Sequence, residues 1–216
     1  MPNSRASTHR DVFVNCPFDA DYKQQFDALI FVIYDCGFYP RCALEVVDSG
    51  QLRFQKICQL ILECSYGIHD LSRIELAPST QLPRFNMALE LGLFLGANLL
   101  SENKKACLVM DTEQYRYQRF CSDLSGVDIS AHGDDTLRLI CVVRDWLRTY
   151  LEPSEGIPGG EYVFGRYNIA SDLVPLRPNR CEPRARKRRP KNYQCLTKPR
   201  HQMRTAPHRS RPKNHP

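Results

Sequence analysis

The sequence predicts an α/β fold: a five-stranded parallel sheet with helices on both faces. Three observations carry this prediction. Short β-branched or aromatic runs alternate five times with segments of helical period, the pattern of a parallel sheet wrapped by crossover helices. One of the runs, Ala106–Met110, is wholly apolar, as a strand covered on both faces should be. Proline and glycine punctuate the joints, as at Pro17 and Gly37.

The elements follow in order. Asp11–Asn15 (DVFVN) reads as the first strand, ended by Cys16-Pro17-Phe18. From Ala20 to Cys36, the spacing of Tyr22, Phe26, Leu29, Ile30 and Ile33 predicts a helix, with Gly37 as its stop. Arg41–Val46 reads as the second strand and Asp48-Ser49-Gly50 as a turn. Leu52 to Cys64 sets Ile57, Leu60, Ile61 and Cys64 on one helical face. Tyr66–Leu71 is the third strand, and Ser72 to Phe85 a polar loop with Pro78 and Pro83. Asn86 to Asn98 predicts a helix whose Gly92 and Gly96, four apart, allow a close neighbour on one side. Ala106–Met110 is the fourth strand, Tyr115–Leu124 a short helix, Val127–Ser130 the fifth strand, and Asp134 to Leu151 a closing helix. Residues 152–175 read as an extension with room for a further helix.

Charge divides the chain. Its net +6 hides residues 1–176 with 16 Lys/Arg and 23 Asp/Glu, and residues 177–216 with 14 Lys/Arg and only Glu182. An acidic globule of 42% hydrophobic residues therefore carries a basic tail, and averaging the two would suggest a nucleic-acid binder wrongly. The run Arg184–Lys191 would hold phosphate backbones only non-specifically. With eight prolines in 175–216 and few apolar residues, the segment from 176 is expected to be disordered, as are residues 1–10. Its abrupt onset also fits a reading-frame change or a non-native extension. Of the ten cysteines, Cys36, Cys58, Cys64, Cys107 and Cys141 sit inside apolar segments, which argues against a disulfide framework, and the lack of a CxxC pair suggests neither a zinc site nor a thioredoxin-type motif. No secretory signal or membrane span is read from the sequence, so a cytoplasmic protein is expected.

In open parallel sheets, ligands bind beyond the carboxyl ends of the strands, where the strand order reverses. For the order 2-1-3-4-5 that point lies between strands one and three, at Asn15–Asp19 and His69–Ser72. The helix near Asn86 should begin at the same rim, offering free N–H groups to an anion.

Glu90 lies one turn into that helix, on the face shared by Asn86 and Phe94. A carboxylate there suits the ribose hydroxyls or the anomeric carbon of a glycoside. The alternative is an ion pair with Arg84 or Arg73. Asp70 and Ser72 suit ribose hydrogen bonding, or simply end the strand as an Asp/Ser turn. His69 reads as a core histidine satisfied by a backbone carbonyl. Cys16 should be the more exposed cysteine, and Arg84 and Arg41 are candidate phosphate partners.

Three segments carry a family likeness. DVFVNCPFD (11–19) resembles the first strand and loop of TIR (Toll/interleukin receptor) domains. YGIHDLSR (66–73) resembles the third strand of TIR-like and nucleoside 2-deoxyribosyltransferase-like proteins. FNMALELGLFLG (85–96) resembles their shared helix, in which Asn-x-x-x-Glu-Leu-Gly presents the key glutamate. The likeness spans residues 11–151 and is nearest to bacterial stand-alone TIR-like proteins. It implies a flavodoxin-like fold, with Glu90 driving cleavage of an N-glycosidic bond in NAD or a nucleoside. It also implies that Asn86 matches the polar position of the transferase version, that Asp70 and Ser72 line the ribose site, and that Cys16, Pro17, Phe18 and Asp19 face the nucleotide. NAD or another nucleotide would be substrate or ligand, with no resident cofactor or metal. Antiviral defence or signalling, with self-association on activation, would be the setting. The alternative is a non-catalytic nucleotide-sensing or assembly module.

Overall fold

The computed structural model describes residues 10–44, 52–74, 84–102, 104–124 and 126–173. The disorder expected of residues 1–9 and 176–216, the turn at Asp48-Ser49-Gly50 and residues 75–83 of the polar loop lie outside them. Arg10 was included in the expected N-terminal disorder but is fixed. Its carbonyl accepts the Tyr39 N–H at 2.9 Å, and its guanidinium lies 2.6 Å from the Glu155 carboxylate.

Five strands form one all-parallel sheet: β1 (Asp11–Asn15), β2 (Tyr39–Arg41), β3 (Tyr66–Asp70), β4 (Ala106–Asp111) and β5 (Ile129–Ala131). Their order is β2-β1-β3-β4-β5, the flavodoxin-like arrangement that the alternating pattern predicts. Helices α1 (Lys23–Asp35), α4 (Thr136–Arg148) and α5 (Gly160–Leu173) cover one face, where Leu29, Val32 and Ile33 meet Leu139, Val143 and Leu147. Helices α2 (Arg53–Glu63) and α3 (Phe85–Leu100) cover the other, where Ile57, Leu60, Ile61 and Phe94 pack on Phe13. Burying a ring as fully as Phe94 contributes about 2–3 kcal/mol. Gly67 on β3 makes room for it, because a Cβ there would stand 2.6 Å from the Phe94 ring.

The core extends past residue 151. Val163 and Tyr167 of α5 are buried among α1 and α4 side chains, so the extension beyond the closing helix completes the domain. Gly160 is the close-approach glycine of this packing, since a Cβ there would fall 2.3 Å from Cys141 Sγ. Arg144 holds the connecting loop by donating to the Pro158 and Ile157 carbonyls at 2.7 and 2.8 Å.

The edges of the sheet depart from expectation. β2 was placed at Arg41–Val46 but occupies Tyr39–Arg41; Glu45 and Val46 lie outside the described residues. Tyr39 turns its N–H to β1, so Pro40, one residue on, turns its missing donor to the open edge, where proline is tolerated. β5 begins at Ile129 rather than Val127. The short helix expected at Tyr115–Leu124 is two 3-10 turns, Arg116–Arg119 and Ser122–Leu124, entered through Tyr115 at a φ of 65°. Asp135 caps α4 by accepting the Arg138 N–H at 2.6 Å, which starts that helix at Thr136.

Candidate functional site

The carboxyl ends of β1, β3 and β4 gather polar side chains at one rim, and α3 starts there. Asn15, the last residue of β1, donates from Nδ2 to the Met87 carbonyl in the first turn of α3 at 2.8 Å. The same Nδ2 lies 3.0 Å from His69 Nδ1. The third strand and the α3 helix are thereby fastened to the end of β1, as the topology requires.

His69 is fully buried, and burial pushes its pKa down to about 3, so the ring is neutral. It is a core histidine as expected, but its partner is the Asn15 amide rather than a backbone carbonyl.

Asp70 ends β3 with no exposure at all. Its carboxylate accepts from the Tyr22 hydroxyl and from the Ser72 N–H, the latter at 2.8 Å. Its Oδ2 also lies 3.1 Å from His132 Nε2. By strict geometry Nε2 makes no well-aligned hydrogen bond, so the ring and the carboxylate are held close without an ideal donor angle. In the neutral ring, Nδ1 accepts the Asp134 N–H at 3.2 Å, which leaves Nε2 as the protonated nitrogen facing Asp70. Burial alone raises the Asp70 pKa, but His132, Ser72 and Tyr22 outweigh it and hold the carboxyl below its ordinary range. Burial likewise lowers the His132 pKa, and Asp70 with Asp134 and Asp111 more than reverses it. The Tyr22 hydroxyl is pushed well up by burial and by Asp70. Next to this network, Asp111 at the end of β4 accepts from Arg116 Nε at 2.9 Å, and Arg116 Nη2 donates to the Leu71 carbonyl at 3.0 Å.

Glu90 stands in a different environment. It is only 9% exposed, and among the described residues no hydrogen bond or ion pair engages its carboxylate. The partners weighed for it are taken: Arg84 pairs with Asp19, and Arg73 lies 3.5 Å from Asp134. The cation that acts on it is Arg53, at the start of α2, and burial outweighs this, pushing the carboxyl up to about 7. Both Asp70 and Glu90 act on the Cys16 thiol.

The expected site residues therefore divide. Phe18 is 41% exposed on the rim with its ring edge-on to Phe26, and Asn86 is exposed at the head of α3. Asp19 and Arg84 form a half-exposed ion pair joining the β1–α1 loop to that head. Three expectations are corrected. Cys16 is buried in the core, not exposed, and burial pushes its thiol up, so it is no nucleophile. Pro17 is buried as well. Asp70 and Ser72 are buried, with Asp70 taken up by the network, so their side chains do not form the wall of an open crevice. Arg41 lies 3.4 Å from Asp11 and 3.6 Å from Glu63, residues at the opposite end of the sheet. The sequence gives no sign that His132 and Arg53 belong to this rim, and it marks Tyr22 only as a helix-face residue. For His132 the available signal was a histidine following a strand, which the misplacement of β5 obscured.

Among the described residues no cluster of His, Cys, Asp or Glu is arranged to hold a metal, and no helix is long and apolar enough to cross a membrane. No family model matches the chain, and no curated protein does. A solved structure similar to it is the diflavin flavoprotein A3 of Nostoc sp., with 15% identity over 74% of this chain and 95% of that one, at a TM-score of 0.34. So loose a superposition carries nothing about ligand or chemistry, and the fold assignment stands on the strand order itself.

Proposed function

We propose that the domain binds a nucleotide at this rim and cleaves its N-glycosidic bond, with Glu90 as the catalytic carboxylate and NAD or a related nucleotide as substrate. The observation that supports it is Glu90 itself: an acid buried at the carboxyl rim of a parallel sheet, unpaired among the described residues, and raised to about 7. The resemblance of residues 85–96 to the glutamate-bearing helix of TIR-like proteins agrees with this position.

The chemistry follows from having one free acid. Cleaving a glycoside with a poor leaving group takes two carboxyl groups, one to protonate the departing atom. A pyridinium N-glycoside needs none. The C1′–N bond breaks, its electron pair neutralises the ring nitrogen, and the base departs uncharged. The positive charge then resides on the ribosyl oxocarbenium, which an ionised Glu90 in a poorly solvated site would stabilise strongly. Water adds to C1′ and gives up its proton to Glu90 or to solvent. The Asp19–Arg84 pair and the exposed head of α3 would face the phosphates, and Phe18 a ring.

The test is nicotinamide release from NAD by purified protein. Glu90→Gln should lower the rate by about a hundredfold or more, the usual scale for losing the principal electrostatic stabiliser. If wild type and Glu90→Ala are equally inert toward NAD, NADP and nucleosides, the proposal fails. A non-catalytic nucleotide-sensing module is the second reading. It is favoured by the burial of Asp70 and Ser72, which would leave Phe18, Asp19, Arg84 and Asn86 to bind without turnover. It requires nucleotide binding with no product.

A further inference from the structure

We infer that the outer face of α3 is a self-association surface that pairs with the same face of a second copy of this chain. Over its 16 residues α3 carries a single charge, Glu90, and that one points inward with Met87, Leu91 and Phe94. The opposite face is apolar too: Phe85, Leu89, Gly92, Gly96, Leu99 and Leu100 recur at helical spacings of three and four. A helix apolar all round is normally covered all round, yet the described residues cover only half of this one. Gly92 and Gly96 have nothing within 4 Å of where a Cβ would stand, so no neighbour among the described residues uses the notch they make.

The surface continues onto α2. Lys56 and Glu63 face β2, where they meet the Ala43 carbonyl and Arg41. The other flank of α2, with Phe54 and Leu62, therefore faces α3. Phe54, Leu62, Phe85, Leu89, Leu99 and Leu100 are 52–88% exposed. Together they offer on the order of 500 Å² of apolar side chain. That matches the apolar share of a standard interface of roughly 800 Å² per partner.

The occupant follows from the register. Leu89, Gly92, Gly96 and Leu99 are placed symmetrically about Phe94. An antiparallel copy centred there sets Gly92 beside the partner's Gly96 and Leu89 beside the partner's Leu99. Each contact then occurs twice, as a two-fold interface demands, and the paired glycines let the backbones approach. Residues 177–216 do not suit the surface, since they are basic and nearly devoid of apolar side chains.

Sedimentation velocity of the full chain, from low micromolar to several hundred micromolar, tests this. A monomer–dimer equilibrium is expected. Leu99→Glu and Gly92→Leu, both at exposed positions that leave the core untouched, should each weaken it by about tenfold or more. Ile169→Glu, equally exposed on α5, should not. Glu90→Gln should dimerise like wild type, which separates this surface from the proposed chemistry. A wild type that stays monomeric throughout, or dimers indifferent to both α3 substitutions, would overturn the inference. So would a monomer that sediments with phosphatidylcholine vesicles and loses them on Leu99→Glu.

Discussion

Asp70 and Glu90 are two buried acids near one rim, and they are built in opposite ways. Asp70 is surrounded: a hydroxyl, a backbone N–H and an imidazole all face it, and it stays an anion despite complete burial. Glu90 has no hydrogen bond or ion pair among the described residues, and burial outweighs the charge of Arg53 to raise its carboxyl to about 7. Burial alone does not mark a reactive acid. A carboxylate whose lone pairs are satisfied contributes to the fold. One that is desolvated and left unpaired destabilises the fold and holds its charge available for something else.

The contrast is sharpest when each acid is removed. Asp70→Ala strands His132 and Tyr22 inside the protein, and the loss should be about 3–5 kcal/mol by urea unfolding, the usual cost of breaking a buried pair. Glu90→Gln should do the reverse. Because its pKa is raised from 4.5 to about 7, Glu90 favours the folded state fully only below about pH 4.5. Its stability contribution falls as pH rises toward 7 and stays low above. The glutamine variant should therefore equal wild type near pH 4 and exceed it by on the order of 2 kcal/mol at pH 8. Equal stability at both pH values would mean that Glu90 has a partner or is well hydrated. The Asp70–His132 pair follows another course. The lowered Asp70 pKa gives stability that is lost only in acid. The raised His132 pKa gives stability that is lost as pH climbs through it.

Arg53 refines the Glu90 side of the comparison. Its charge lowers the Glu90 pKa against the larger effect of burial. If cleavage needs the ionised form, the rate should rise with pH and level off above about 7. Arg53→Gln should shift that rise to higher pH without changing its plateau. A profile that falls in the same range would make Glu90 an acid rather than a charge stabiliser.

What the sequence made legible follows from range. β1 and β3 lie in the middle of the sheet with β4, and the turn and helix signals that bound them fix their limits to within a residue. β2 and β5 are three-residue edge strands, too short to show a period, and both were misplaced. Glu90 was legible because the four-residue spacing of Asn86, Glu90 and Phe94 defines a face without tertiary knowledge. The Asp70 network was not. Tyr22 lies 48 residues from its acid, and His132 comes from beyond β5, so no local pattern joins them. The unpaired state of Glu90 was equally hidden, because it depends on Arg84 and Arg73 having found Asp19 and Asp134.

The Asp19–Arg84 pair gives the smallest effect and a discriminating one. Half-exposed ion pairs contribute about 0–1 kcal/mol, so Arg84→Met and Asp19→Asn should each leave the unfolding midpoint nearly unchanged. Their effects on a nucleotide should differ in sign. Arg84→Met removes a cation from the head of α3 and should raise KM several-fold with kcat held, a loss that shrinks as salt rises. Asp19→Asn keeps that guanidinium and removes the carboxylate competing for it, so KM should fall. If both substitutions raise KM alike, the pair serves by holding the β1–α1 loop against α3, and the phosphates are bound elsewhere on the rim.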